Sequence, residues 1–131
     1  MKVDILTLCD SVQEYNGRLV IVGTFNRIAS NNFPLLIPEL AVVARVVLDD
    51  VDKAKQNYTI SIKKIDDDRD VYIMPVTEIK ADNSNLKGDG SLMNIFMKGR
   101  DVSIQEPGVY RVMLQCDDYC VHTDLYVEQR E

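Results

Sequence analysis

The thiol and imidazole groups near the end of the chain are the side chains best suited to chemistry. Cys116, Cys120 and His122 lie within the stretch EPGVYRVMLQCDDYCVHTDLYVEQ, residues 106–129, and His122 is the only histidine. Thiolates and imidazoles bind zinc, and a cysteine close to a histidine can act as a nucleophile. The stretch therefore suggests a metal centre, a reactive thiol or simply a closing β-hairpin.

The spacing of these residues favours the hairpin. A two-residue loop at Asp117-Asp118 would pair Cys116 with Tyr119, whereas a four-residue loop would pair it with Val121. Paired residues share a face, so both loops place Cys116 inward and Cys120 and His122 outward. The pattern C-x3-C-x-H also differs from the usual zinc spacings. We predict no metal site, no cofactor and no stoichiometric zinc.

Two other site types fit the sequence poorly. Asp66, Asp68 and Asp70 have D-x-D-x-D spacing, but Val71 and Thr77 occupy the positions where a calcium loop needs glycine and glutamate. The chain has no tryptophan, and its six tyrosines are scattered, so no aromatic platform for a sugar is evident. We expect no enzymatic activity. A small-ligand or carbohydrate-binding domain remains the alternative to an interaction module.

Length and charge limit the classes of partner. The 131 residues are enough for one domain, residues 1–131, and the net charge of -6 disfavours nucleic acid and anionic membranes. The longest apolar run, Leu40–Leu48, is too short to span a bilayer and contains Arg45. Asp4 and Asp10 interrupt the start of the chain, so we expect no secretion signal. Three cysteines without a framework spacing favour a cytoplasmic location.

Short β-branched runs ended by turn residues predict strands throughout, and no segment has a sustained helical period. Asn16-Gly17 is typical of a tight hairpin turn. The run Leu40–Leu48 is apolar on both faces, which predicts a central strand covered on both sides or one that offers a face to a partner. We predict an all-β, antiparallel, immunoglobulin-like sandwich of about eight strands. The runs are Lys2–Leu8, Arg18–Phe25, Leu40–Leu48, Tyr58–Ile65, Val71–Ile79, Leu92–Met97 and the two closing runs.

The segment EPGVY supports the sandwich. Gly108 and Tyr110 within it resemble the tyrosine corner of immunoglobulin-like domains, in which the hydroxyl bonds to upstream backbone. Tyr110 should therefore be buried, with its hydroxyl bonded near Ser103–Glu106. Val112 stands where an antibody domain has its second cysteine, so the resemblance is to the general sandwich.

A second resemblance covers most of the chain. Its segments are LCDSVQEYNGRLVIVGTFNRI, FPLLIPELAVVARV and GVYRVML, with Cys-Asp near the first strand and Gly-x-Leu followed by Gly-x-Phe in the second. This pattern is similar to an uncharacterised family of small bacterial all-β proteins, a domain of unknown function. The resemblance implies a cytoplasmic bacterial sandwich and brings no catalytic residues.

The segment FPLLIP predicts the surface closest to function. It places Phe33, Leu35, Leu36 and Ile37 in a loop between prolines, where four large apolar side chains would be costly to leave in water. Either the loop closes one end of the core, or its side chains join Val43 and Val47 in a contact with a protein partner or a second copy, giving a homodimer. We therefore expect a non-catalytic interaction or structural module.

Overall fold

The described residues form β-strands in two five-stranded sheets. The computed structural model describes residues 2–48, 58–66, 69–75, 78–82, 91–117 and 119–130, with the backbone alone for 69–75, 78–82 and 91. The strands are β1 Lys2–Tyr15, β2 Arg18–Phe25, β3 Arg27–Ser30, β4 Leu35–Leu48, β5 Tyr58–Lys64, β6 Arg69–Pro75, β7 Glu78–Asp82, β8 Ser91–Ile104, β9 Gly108–Cys116 and β10 Tyr119–Gln129. The first sheet has the order β2-β1-β4-β8-β7, and the second has the order β3-β10-β9-β5-β6.

The all-β prediction is confirmed, with differences in strand number and direction. Ten strands are described instead of about eight. One of the two additional strands arises because the predicted run Val71–Ile79 is divided between β6 and β7, which lie in different sheets. The short strand β3 was not predicted. It pairs with β10 in parallel, whereas every other pair is antiparallel among the described strands. The Asn16-Gly17 turn has the predicted positive φ values of 50° and 77°.

The two sheets share one buried cluster of side chains. In β5, Tyr58, Ile60 and Ile62 are buried in it, as the alternation of the sequence predicts. They meet side chains of the first sheet, among them Val42 and Ile95, which are fully buried. We call this cluster the main core. Burial of each large aliphatic side chain contributes roughly 1.5–3 kcal/mol, so the cluster is the principal source of stability.

A second, smaller cluster lies on the other face of the first sheet. It contains Cys9, Val12, Ala41, Val43 and Phe96, and the half-buried Leu19 and Ile21 pack against it. The cover comes from the β1–β2 hairpin, because the side-chain amide Nδ2 of the buried Asn94 in β8 donates a hydrogen bond of 3.2 Å to the Gly17 carbonyl at the hairpin turn. We call this the outer cluster.

The outer cluster explains the central strand. β4 lies third of five in its sheet, as predicted for a run that is apolar on both faces. Its even-numbered residues, such as Val42 and Val46, enter the main core, whereas Ala41 and Val43 enter the outer cluster. The chain's own hairpin thus covers the face that the sequence had left open to a partner.

Beyond the register shift between Val3 and Ile5, two further kinks reverse the side-chain faces within the described part of the first sheet. Leu8 and Val12 have the same parity in β1, yet Leu8 belongs to the main core and Val12 to the outer cluster. Between them, Asp10 lies opposite Gly23, which has φ +70°. In β4 and β8 the faces reverse in the same way between Ile37 and Leu40, where Pro38 lies opposite Asp101 with φ +54°.

The prediction of a loop at FPLLIP is wrong. Leu35, Leu36 and Ile37 form the beginning of β4 and pair with Ile104, Ser103 and Val102 of β8. Proline normally interrupts a sheet because it lacks the N–H donor. Pro38 is tolerated because the ladder has no pair at its position, where the kink lies. The bracketing prolines therefore mark a kinked strand instead of a loop.

Tyr110 closes the end of the sheets beside the β8–β9 turn. Its ring is fully buried in the main core, and its hydroxyl donates to the backbone carbonyl of Glu106. The Glu106 carboxylate in turn forms an ion pair of 2.7 Å with Lys64 Nζ. Gly108 makes room for this arrangement, since an added Cβ would lie 3.2 Å from Lys64 Cε.

Replacing Tyr110 with phenylalanine should lower the free energy of unfolding by about 1 kcal/mol, because the Glu106 carbonyl loses its buried donor. Urea denaturation of the purified variant measures the change. Tyr126→Phe is the matched control, since Tyr126 is exposed on the opposite face of its sheet, and it should stay within about 0.5 kcal/mol of the wild type. Equal losses in the two variants would contradict the assignment.

An ion pair between Asp4 and Arg45 joins β1 to β4. Arg45 Nη2 lies 2.8 Å from Asp4 Oδ2, and Arg45 Nε donates to Asp4 Oδ1 at 3.0 Å. The hydrogen bonds from Arg45 lower the pKa of Asp4 below its usual value of 3.8, and the positive charge of Arg45 adds to this effect. A lowered folded-state pKa stabilises the folded protein above pH 3.8, and that contribution is lost as the pH falls through the lowered value.

The cost of Asp4→Asn should therefore be largest at neutral pH and should shrink as the pH falls below about 3.8. Denaturant titrations at several pH values measure it. In an Arg45→Gln background, the same substitution should have a small effect that does not change in this window. A cost of Asp4→Asn that is constant from pH 7 to pH 3 would show that the pair does not lower the pKa.

Candidate functional site

The two cysteines of the closing hairpin are not placed to act together at one site. Cys116 pairs with Tyr119, which selects the two-residue loop, and Cys116 is buried whereas Cys120 is exposed. The two thiols point to opposite faces, as predicted. His122 is exposed and lies opposite Met113. Among the described residues, no three His, Cys, Asp or Glu side chains are placed to hold a metal ion. Asp68 lies outside the described residues, as do the side chains of Asp70 and Val71.

The six residues of the predicted interaction surface lie in different environments. Phe33, Leu35 and Ile37 are half-buried and pack against the main core. Val43 is fully buried in the outer cluster, so its predicted place on a surface is wrong. Val47 is half-buried. Leu36 alone of the six is exposed, with 58% of its surface accessible.

A cleft opens where β1 leaves β4. The two strands pair from Lys2–Val47 to Cys9–Ala41, and β1 then continues with β2 alone. β4 continues beyond this point with β8 alone, so one backbone edge of residues 35–39 is paired with no strand among the described residues. Asp10 and Glu39 lie at the divergence, one on each strand. We call the space between the β1–β2 hairpin and residues 35–39 the cleft.

The cleft contains two adjacent hollows that share Asp10 and Glu39. The first is a cavity of about 260 Å³. Its other lining residues are Ser11, Leu40, Ala41, Lys98, Gly99 and Arg100. The second is a more open depression of about 380 Å³. Its other lining residues are Gly23, Thr24, Phe25, Ile28, Leu36, Ile37 and Pro38.

The electrostatic character of the two hollows differs. The cavity carries two carboxylates and two cations, with Glu39 paired to Arg100 in the strand register. Even so, Asp10, Glu39, Lys98 and Arg100 form no ion pair with any described residue. In the described part of the chain, the two carboxylates are the only charged groups that line the depression. It is therefore an apolar hollow with an acidic rim.

The Asp10 side chain packs closely against Gly23. A Cβ added at Gly23 would overlap the Asp10 carboxylate, lying 2.9 Å from its Cγ. The φ of +70° at Gly23 is also a conformation that only glycine adopts without cost. Cys9, the preceding residue, is fully buried, and burial together with the Asp10 charge raises the pKa of its thiol. The Cys9 thiol is thus a packing group, whereas the Asp10 side chain is exposed and lines both hollows.

The sequence signals for this site were incomplete. Cys9-Asp10 and Gly23-x-Phe25 belong to the motif on which the family resemblance was based, and the structure shows that Asp10 and Gly23 touch. Nothing in the local sequence marked Glu39, Lys98 or Arg100. They reach the cleft through the pairing of β4 with β8, which joins residues about sixty positions apart.

A family model covers almost the whole chain. Residues 4–128 match a family of unknown function, DUF6941. The chain belongs to this family. The expectation of an uncharacterised domain family is thereby confirmed, and DUF6941 brings no assigned activity to test against the cleft. No curated protein and no solved structure matches the chain. None of the described residues forms a helix long and apolar enough to cross a membrane.

Replacing Gly23 with alanine should destabilise the protein by roughly 1–2 kcal/mol for two reasons. An alanine is strained at the left-handed φ of this position, and its Cβ would overlap the Asp10 carboxylate. Urea denaturation measures the loss. Adding Asp10→Ala to the Gly23→Ala variant should restore part of the lost stability, because it removes the overlap. Thr24→Ala, at the exposed neighbouring residue, is the control. Full stability of Gly23→Ala would contradict the described kink.

Proposed function

We propose that this DUF6941 member is a non-catalytic protein-interaction module that contacts its partner through the β1–β2 hairpin and the cleft beside it. The observation that carries the proposal is the exposure of apolar side chains on the face of the hairpin that points away from the outer cluster. Tyr15, Val20 and Val22 are exposed there by 69%, 46% and 55%, although the opposite face of the same hairpin is buried. Exposed apolar groups gathered on one surface are typical of an interaction site.

The distribution of apolar side chains supports this location. The described part of the chain exposes six large apolar side chains, and four of them, Tyr15, Val20, Val22 and Leu36, lie on the hairpin or in the cleft. β2 is also an edge strand, with one side free of any described neighbour. Apart from Arg18 it carries no charge that would discourage pairing, and an unprotected edge of this kind can accept a further strand.

The strand order supports an immunoglobulin-like sandwich as the scaffold. The order β4-β8-β7 corresponds to strands B, E and D, and β10-β9-β5 corresponds to G, F and C. The Tyr110 hydroxyl then lies where the tyrosine corner is found, at the start of strand F. In this proposal the β1–β2 hairpin is an addition to the sandwich that carries the interaction surface.

The setting proposed for the module is the cytoplasm of a bacterium. Cys9, Cys116 and Cys120 are all free thiols, two of them buried, which suits a reducing compartment. The bacterial setting follows from the family resemblance. The partner is another protein or a second copy of this chain.

Selection of peptides from a displayed random library tests the proposal. Immobilised wild-type protein should select binders, and their affinity should fall at least tenfold for the double variant Val20→Ser, Val22→Ser. The control is Ile65→Ser, Tyr126→Ser, which removes exposed apolar groups of the other sheet. Sedimentation of the unliganded protein tests whether the chain associates with itself. A wild-type dimer that becomes a monomer in the hairpin variant supports the proposal. The proposal would be overturned if the hairpin substitutions changed neither peptide binding nor dimerisation. It would also be overturned if the wild-type protein were monomeric and selected no peptide.

A second candidate is a small-ligand site in the charged cavity. Its four charged groups, of both signs and without an ion pair to any described residue, would suit a small zwitterion such as a free amino acid. The volume of about 260 Å³ lies just below the range of roughly 300–1,000 Å³ usual for ligand pockets, which favours the interaction module. Under the second candidate, millimolar amino acid raises the melting temperature of the wild type but not of Lys98→Ala, Arg100→Ala.

A further inference from the structure

We propose that the cleft recognises an extended segment of a partner protein in which a large apolar residue is next to a lysine or arginine. The apolar side chain enters the depression lined by Phe25, Leu36 and Pro38, and the cation meets Asp10 and Glu39 at its rim. This inference rests on the proposed interaction function and specifies its partner.

The shape and lining of the depression favour an apolar side chain. At about 380 Å³ it has room for a large aliphatic or aromatic group. Leu36, the most exposed leucine described, lies on its wall, and Phe25, Ile28 and Ile37 are half-buried beneath. Covering these groups with an apolar side chain removes their surface from water, which is the main favourable term in such contacts.

Charge complementarity selects a basic neighbour. Among the described residues, the only charged side chains that line the depression are the carboxylates of Asp10 and Glu39, and neither forms an ion pair with another of those residues. The Asp10 carboxylate lies close to Gly23 at the rim of the depression. The net charge of -6 adds a long-range attraction for basic segments. An acidic segment would be repelled from both groups.

The backbone of β4 favours an extended partner. Residues 35–39 pair with β8 on one side only, and their other backbone edge is paired with no described strand. An extended segment can add to such an edge through main-chain hydrogen bonds while its alternate side chains enter adjacent pockets. Pro38 has no N–H, so it limits the added pairing to a short stretch. A short, extended motif therefore fits better than a helix.

The peptides selected by the wild-type protein test the motif directly. We expect Lys or Arg next to Leu, Ile, Phe or Met to be enriched. For a synthetic peptide of the selected sequence, affinity should fall at least tenfold for Asp10→Asn, Glu39→Gln and for Leu36→Ser. The matched controls are Asp66→Asn, Glu128→Gln, with the same change of charge, and Ile65→Ser, with a similar loss of exposed apolar surface.

Salt provides a readout that a mere loss of fold would not produce. Raising sodium chloride from 50 to 500 mM should weaken peptide binding to the wild type by several-fold, because salt screens the contact between the cation and the carboxylates. The Asp10→Asn, Glu39→Gln variant should show little salt dependence. Glu39→Gln alone, at an exposed position, should lower the affinity while leaving the melting temperature unchanged.

The outcomes separate this inference from the proposed function. Peptides that bind through the hairpin but lack a basic–apolar pair, or bind equally to the cleft variants, overturn the inference and leave the interaction function in place. A protein that selects no peptide and stays monomeric overturns both.

Discussion

The first sheet depends on a reversal of side-chain faces at two aligned kinks. A strand alternates its side chains strictly, so a continuous β1 would carry the hairpin's apolar residues on the same face as Leu8. The left-handed backbone at Gly23 and at Asp101 breaks that alternation in both strand pairs. Val12, Leu19 and Ile21 can then face the outer side of β4 and β8. Without the reversal, the buried outer cluster would be exposed to water.

The cleft is the consequence of the same constraint. Because the hairpin leaves the sheet to cover the outer cluster, β1 separates from β4 just beyond the Cys9–Ala41 pair. The space that opens cannot be filled by the hairpin's own side chains, since these are committed to the outer cluster on one face and exposed on the other. The packing that stabilises the hairpin thus also leaves an unpaired strand edge, with charged residues where the strands diverge. The proposed binding surface and the packing that stabilises the hairpin therefore depend on the same strands.

The parts of the fold that follow from local alternation were predictable from the sequence. The inward set Tyr58, Ile60 and Ile62, the opposite faces of Cys116 and Cys120, and the central place of β4 all follow from period-two patterning. The burial of Tyr110 and its bond to the Glu106 carbonyl followed from a short motif.

The remaining features depend on where alternation fails. Prolines 34 and 38 suggested a loop, because a sequence pattern does not show that a kink leaves Pro38 without a ladder partner. The predicted first strand ended at Leu8, since Asp10 breaks the apolar run, although β1 continues to Tyr15. Asp101 gives no sequence signal for its positive φ, as aspartate is common in ordinary strand ends and turns. Val43 was assigned to a surface because the pattern could not show that the chain covers this face itself.

The central claim is that the β1–β2 hairpin folds over the outer face of β4 and β8. Nuclear Overhauser effects in a uniformly labelled sample test it most directly. The account predicts cross-peaks between the Asn94 side-chain amide protons and the Gly17 turn, and between the Val12 methyl groups and other members of the outer cluster. Cross-peaks that instead join Val12 to main-core residues such as Leu114, with none from Asn94 to the turn, would contradict the reversal of faces and with it the cleft.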